Sequence, residues 1–128
     1  MANEIYKKWL PIEGAPKKLY CEGIHDDYEG LRILLKGEEA QSSILRLSFD
    51  SVFAYRNIDE GYLLRTLNKM DNPGESTFYI VENSTWIEWF NEESYGTLEN
   101  SKITHYAIYT PNDCIDLLTE YEPKVEWL

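Results

Sequence analysis

The sequence is short of cations and of the residues that build catalytic and metal centres. It holds two cysteines, two histidines and 12 Lys and Arg against 23 Asp and Glu, a net charge of −11. Nucleic-acid binding draws on Lys and Arg to displace phosphate counterions, so this balance argues against a nucleic-acid partner. It argues equally against an anionic membrane surface. Two cysteines in a chain of this size read as reduced thiols and not as a disulfide framework. No apolar run is long enough to span a bilayer. The opening MANEIYKKWLPIEGAPKK carries charges but no apolar secretory core, which points to the cytoplasm. There is no G-x-G-x-x-G, Walker loop, G-x-S-x-G or H-E-x-x-H, so no cofactor or standard hydrolytic site is expected.

What is present is material for a core. Of the 128 residues 43% are hydrophobic and 14% aromatic, with ten Tyr and four Trp. That length fits one α+β domain over 1–128, burying about two-thirds of the surface its unfolded chain exposes. The acidic excess suits either plain solubility or attraction to a basic protein, whose encounter rate it would raise.

Residues 1–18, with Pro11, Gly14 and Pro16, read as an irregular entry segment that Trp9, Leu10 and Ile12 pin to the body. Strands follow at Leu19–Ile24, at Leu31–Lys36 with Leu31, Ile33 and Leu35 on one face, and at Ile44–Phe49 with Leu45, Leu47 and Phe49 inward. Val52–Arg56 is a further candidate. Short links between these runs favour antiparallel pairing. Asn57 and Glu60 then form a capping-box pattern before Leu63, Leu67 and Met70 at helical spacing, and Asp71-Asn72-Pro73-Gly74 stops that helix. Thr77–Glu82 reads as a strand. Thr85-Trp86-Ile87-Glu88 opens a second helix with Trp86, Ile87 and Phe90 as its apolar stripe, and Ile103–Thr110 is a strand. Thr110, with Pro111 at the first position and Asp113 at the third, predicts a third helix lined by Cys114, Ile115, Leu118 and Tyr121. Lys124–Leu128 offers a terminal strand. The expected fold is a mainly antiparallel sheet of about six strands with three short helices.

The stretch THYAIYTPNDC brings His105, Asp113 and Cys114 within ten residues. Alternation puts His105 on one strand face with Ile103, Ala107 and Tyr109, and Tyr106 and Ile108 on the other. A carboxylate at the start of a helix is explained by the dipole alone, and Cys114 on an apolar stripe is a small hydrophobe. A catalytic cysteine would need a neighbouring base and a lowered pKa. Cys21-x3-His25 with His105 and Cys114 matches no strong zinc spacing, so no metal is expected.

Carboxylates gather at Asp26, Asp27 and Glu29, at Glu38 and Glu39, and at Glu92 and Glu93. The last pair ends a helix, where the dipole disfavours it, and so invites a cationic partner. Arg56 in YRNIDEG is explained by an ion pair with Asp59 or Glu60. Trp86 and Trp89 cannot both bury easily, and an exposed Trp beside Glu92 and Glu93 would anchor an interface.

YRNIDEG at 55–61, ENSTWIEWFNEES at 82–94 and HYAIYTPNDCIDLLTEYEPKVEWL at 105–128 resemble the small acidic proteins of Bacillus-like bacteria that accompany polymorphic secreted toxins. The resemblance implies an immunity-type inhibitor that occludes a basic toxin domain, and it supplies no catalytic residues. The rivals are a small enzyme with a carboxylate or Cys–His site, supported by an enclosed polar pocket around His105, and a structural or regulatory subunit, supported by a large apolar patch.

Overall fold

The computed structural model describes residues 3–128. Nine strands form two antiparallel sheets. One sheet holds β2 (Leu19–Asp27), β3 (Gly30–Gly37), β4 (Ile44–Phe49) and β9 (Lys124–Trp127), in that order. The other holds β1 (Ile5–Lys8), β6 (Phe78–Glu82), β7 (Thr104–Tyr109), β8 (Asp113–Thr119) and β5 (Ala54–Asp59), in that order. Two helices, α1 (Leu64–Lys69) and α2 (Thr85–Glu93), and a single 3-10 turn at Glu60–Tyr62 complete the regular structure among the described residues.

The alternating runs fold as their period dictates. Leu31, Ile33, Leu35, Leu45, Leu47 and Phe49 all point from the four-stranded sheet into a sealed core, where Phe78, Tyr106, Ile108, Ile115 and Leu117 of the five-stranded sheet meet them. Phe49 and Tyr106 touch across the two sheets with ring centroids 6.0 Å apart. The β2–β3 turn depends on Gly30, whose φ is +97° and whose absent Cβ would sit 2.8 Å from the Phe49 carbonyl oxygen.

The five-stranded sheet is buried on both faces. Its outer face carries Tyr79, Val81, Ala107, Tyr109 and Cys114, covered by Leu63, Leu67 and Met70 from α1 and its flanks. On the same face Trp86 of α2 stands edge-on to His105. The molecule is therefore layered: sheet, sheet, then two short helices.

Five expectations from the sequence are corrected. The expected sheet of about six strands with three short helices is, among the described residues, nine strands in two sheets with two short α-helices, because the entry segment and the run after Thr110 both pair as strands. The entry segment contains a strand: Ile5–Lys8 pairs with Glu82–Tyr79, and Trp9 packs on Phe78 and Tyr106 while Leu10 stays in solvent. Asn57 is not a helix cap but the fourth residue of β5; Asp59 caps the 3-10 turn by accepting from Gly61 N–H. The cap of α2 is Ser84, one residue before Thr85. The third helix does not form. Thr110 instead locks a hairpin, accepting Asp113 N–H on Oγ1 at 2.9 Å while its own N–H reaches the Asp113 carbonyl at 2.7 Å. The chain then returns as β8, central in the sheet between β7 and β5.

Candidate functional site

The outer face of the five-stranded sheet holds a buried polar chain. Asp116 on β8 is wholly buried (0% exposed) and His105 on β7 nearly so (1%). His105 Nε2 lies 2.7 Å from Asp116 Oδ1, and Nδ1 lies 2.7 Å from Ser84 Oγ. Tyr109 donates its hydroxyl to the same carboxylate at 3.0 and 3.2 Å, and Arg56 Nε approaches it at 3.3 Å. A carboxylate beside a guanidinium accepts from all three donors, which fixes a proton on Nε2. Tyr6 extends the chain, its hydroxyl 3.5 Å from that of Tyr109. Burial, and then the Asp116 charge, pushes the Tyr109 hydroxyl far above its ordinary range; burial alone dominates for Tyr6, pushed up to about 12.

Ser84, His105 and Asp116 are the residue types of a hydrolytic triad, but they are held within the fold. Ser84 Oγ already accepts the Ile87 N–H as the cap of α2, and all three side chains are sealed. No substrate carbonyl can approach a nucleophile so placed. The enclosed His105 and carboxylate that would favour an enzyme are present, and they lack access. What the chain does is position its neighbours. Asp116 fixes Arg56, whose guanidinium carbon stacks 4.2 Å above the Trp86 ring. Ser84 and His105 fix α2 and Trp86.

Above this base plate a cleft of about 990 Å³ runs between α1 and α2. Arg56 lies on its floor, Arg65 and Lys69 on the α1 side, and Trp86, Glu88 and Trp89 on the α2 side. Glu4 also lines it, but its carboxylate is taken up by Thr85 N–H and Oγ1 at 2.9 and 3.2 Å.

A second surface lies at one end of the two sheets. The end of β2 brings Asp26 and Asp27 into a shallow hollow with Asp50 and Phe53 of the β4–β5 link and Tyr55 at the start of β5. That link is tied to the end of β8 by Phe53 N–H to the Leu118 carbonyl at 2.8 Å and by Thr119 Oγ1 to the Ser51 carbonyl. Exposed Glu120, Tyr121 and Glu122 of the β8–β9 turn follow directly. Tyr28 is 95% exposed there, with Tyr55 and Tyr121 also open to solvent. The cations closest in the chain are engaged: Arg32 with Asp27 and Glu29, both at 2.6 Å, and Lys124 with Glu126.

The structure does not bring the three carboxylate clusters together. Asp26, Asp27 and Glu29 sit at the β2–β3 turn, Glu38 and Glu39 at the opposite end of β3, and Glu92 and Glu93 on α2, beyond the five-stranded sheet. Glu29 and Asp27 are partly neutralised by Arg32, and Glu38 accepts from the Tyr20 hydroxyl. Trp89 is the open tryptophan at 52% exposure, and Trp86 lies under Arg56. Arg56 pairs with Asp116 and not with Asp59 or Glu60. Asp113 accepts from Asn57 Nδ2 across the β5–β8 pair.

The four residues weighed and set aside as a zinc set, Cys21, His25, His105 and Cys114, are dispersed for a physical reason. A bulge between Cys21 and Gly23 shifts the register of β2, so Cys21 pairs with inward Leu35 while His25 pairs with outward Arg32. Cys114 and His105 lie on the far side of the other sheet. Among the described residues no three His, Cys, Asp or Glu side chains group to hold a metal, and both cysteines are free thiols. No helix among the described residues is long and apolar enough to cross a membrane.

No family model matches this chain, and neither a curated protein nor a solved structure matches it.

Sequence reasoning missed Asp116, Ser84, Asp50 and the pair Glu120 and Glu122. Asp116 carried one signal: a lone carboxylate inside CIDLLT, flanked by residues that all bury, must find partners or leave the core.

Proposed function

We propose that the protein is a non-enzymatic binding module, most concretely an immunity-type inhibitor, that captures a basic protein partner through the acidic end of its two sheets. The supporting observation is a hollow lined by Asp26, Asp27, Asp50 and Tyr55, flanked along the chain by the exposed Tyr28 of the β2–β3 turn and by exposed Glu120, Tyr121 and Glu122 of the β8–β9 turn, which follows the strand end tied to the Ser51–Phe53 link. Tyrosine supplies large amphipathic contact area at small entropic cost, and carboxylates without an internal partner supply steering and register. Occlusion is then the mechanism: the acidic end meets the cationic surface with which a toxin domain would hold its own anionic substrate. The sealed state of Ser84, His105 and Asp116 supports the absence of turnover.

The test is capture from the native host with the full chain as bait, followed by association kinetics across salt. The expected partner carries an excess of Lys and Arg, and its on-rate falls as ionic strength rises, because exposed charges are screened beyond about 8 Å at physiological salt. A partner that is acidic, or whose on-rate ignores salt, overturns the reading.

A further inference from the structure

The cleft between α1 and α2 lies apart from the acidic end, and its chemistry has the opposite sign. In a chain with 12 Lys and Arg against 23 Asp and Glu, three of the cations line this one cleft. Of the nine cations outside it, Lys7, Lys8, Arg32, Arg46 and Lys124 are engaged by carboxylates, and Lys17, Lys18, Lys36 and Lys102 are scattered along the chain. Arg65 and Lys69 form no ion pair among the described residues, although they stand four apart on α1 and so share one face of it.

Arg56 is the better-built of the three. Its Nε is held by a buried carboxylate and its plane by Trp86, which leaves the two terminal nitrogens of the fork without a protein partner among the described residues. A guanidinium restrained in this way loses little freedom when it grips an oxyanion with two parallel hydrogen bonds. Of the two carboxylates in the lining, Glu4 is already bound to the first turn of α2, and Glu88 stands on the α2 side against three cations. Opposite the cations, Trp89 exposes about half its surface.

Size narrows the occupant. Ligand pockets run from roughly 300 to 1,000 Å³, and this cleft, at about 990 Å³, is far larger than a bare oxyanion requires. We propose that it binds a small-molecule anion of nucleotide size, with phosphate or carboxylate groups on Arg56, Arg65 and Lys69 and a planar ring stacked on Trp89. This proposal is independent of the protein-capture reading, and either can fail without the other.

The experiment titrates the full chain with ADP, inorganic pyrophosphate and citrate at low salt, up to about 10 mM, reading intrinsic tryptophan fluorescence and heat. Saturable binding of pyrophosphate or ADP supports a phosphate ligand, and of citrate a carboxylate ligand. ADP should bind about tenfold tighter than pyrophosphate, as base stacking provides. The Arg65→Glu/Lys69→Glu variant leaves the buried chain untouched and should weaken binding at least about tenfold. Lys17→Glu/Lys18→Glu makes the same change in net charge on exposed residues outside the cleft and should bind as wild type. Circular dichroism melts establish that both variants are folded. Absence of saturable binding by all three probes overturns the proposal, as does equal loss in both variants or undiminished binding in Arg65→Glu/Lys69→Glu. ADP no tighter than pyrophosphate overturns the place given to the ring on Trp89.

Discussion

His105 and Asp116 face each other diagonally across the β7–β8 pair, Nε2 to Oδ1 at 2.7 Å, in a layer closed to solvent. Removing the carboxylate leaves an imidazole N–H without an acceptor and the Tyr109 hydroxyl with only the long contact to the Tyr6 hydroxyl, and frees Arg56. Asp116→Ala should therefore cost about 3–5 kcal/mol in denaturant unfolding, the range for breaking a buried charge pair from one side. Tryptophan fluorescence should shift with it, since Trp86 lies under Arg56. A cost under about 1 kcal/mol would mean that the buried chain does not hold the base of the cleft.

Cys114 is sealed on the outer face of the five-stranded sheet, and burial followed by the Asp116 charge pushes its thiol up to about 12. The native protein should resist a thiol reagent at Cys114 while partly buried Cys21 reacts first. Cys114→Ser places a hydroxyl with no evident partner there and should cost about 1–3 kcal/mol. Prompt labelling of Cys114 in folded protein would refute its burial.

How much of this was readable in advance differs by element. Leu31, Ile33 and Leu35, and Leu45, Leu47 and Phe49, alternate cleanly because their strands have one buried face, and period two then shows in the sequence. β8 has two buried faces: Cys114, Asp116 and Leu118 face the helix layer, and Ile115 and Leu117 the inner core. A strand covered on both sides reads as a continuous apolar run, which Cys114, Ile115 and Leu118 fit equally well as a helix. Thr110-Pro111-Asn112-Asp113 serves a helix start or a hairpin turn with the same hydroxyl, so only the pairing of β7 with β8 decides between them. β1 is short and lies at a sheet edge, where Lys7 and Lys8 mask the pattern. The acidic end and the cleft are assembled from segments distant in sequence, and no local spacing encodes them. The alternation around His105 did carry through to the structure.

Alkaline stability follows from the hydroxyls and the thiol together. Tyr6 and Cys114 are each raised to about 12 in the folded chain and Tyr109 is raised further, all chiefly by burial. Raised folded values mean that the unfolded chain releases these protons first. The stability they contribute is fully present below their unfolded values, near pH 9 for the thiol and 10 for the phenols, and is lost as pH rises toward 12. Denaturant midpoints should fall steeply across that window, and phenolate absorbance should lag behind that of the unfolded chain. Tyr6→Phe should flatten the fall by up to one proton's slope. A midpoint that stays level to the top of the window would contradict the sealed network.

The protein-capture reading is tested most sharply by setting two charge reversals against each other. Asp26→Lys/Asp50→Lys acts in the hollow at the acidic end, where neither carboxylate accepts a hydrogen bond or ion pair from another described side chain. Glu92→Lys/Glu93→Lys changes net charge by the same amount on exposed α2, at the end where the helix dipole favours cations, so it should fold at least as well. A partner steered by net charge alone would lose on-rate equally in both variants. A partner seated on the acidic end should lose about tenfold or more in the first, in both on-rate and residence, and little in the second. The Tyr28→Ala/Tyr121→Ala variant removes contact area without changing charge; it should speed dissociation and leave the salt dependence of association intact. If the α2 reversal proves the more damaging, the interface lies on the helical face with Trp89 as its anchor, and the assignment to the acidic end falls.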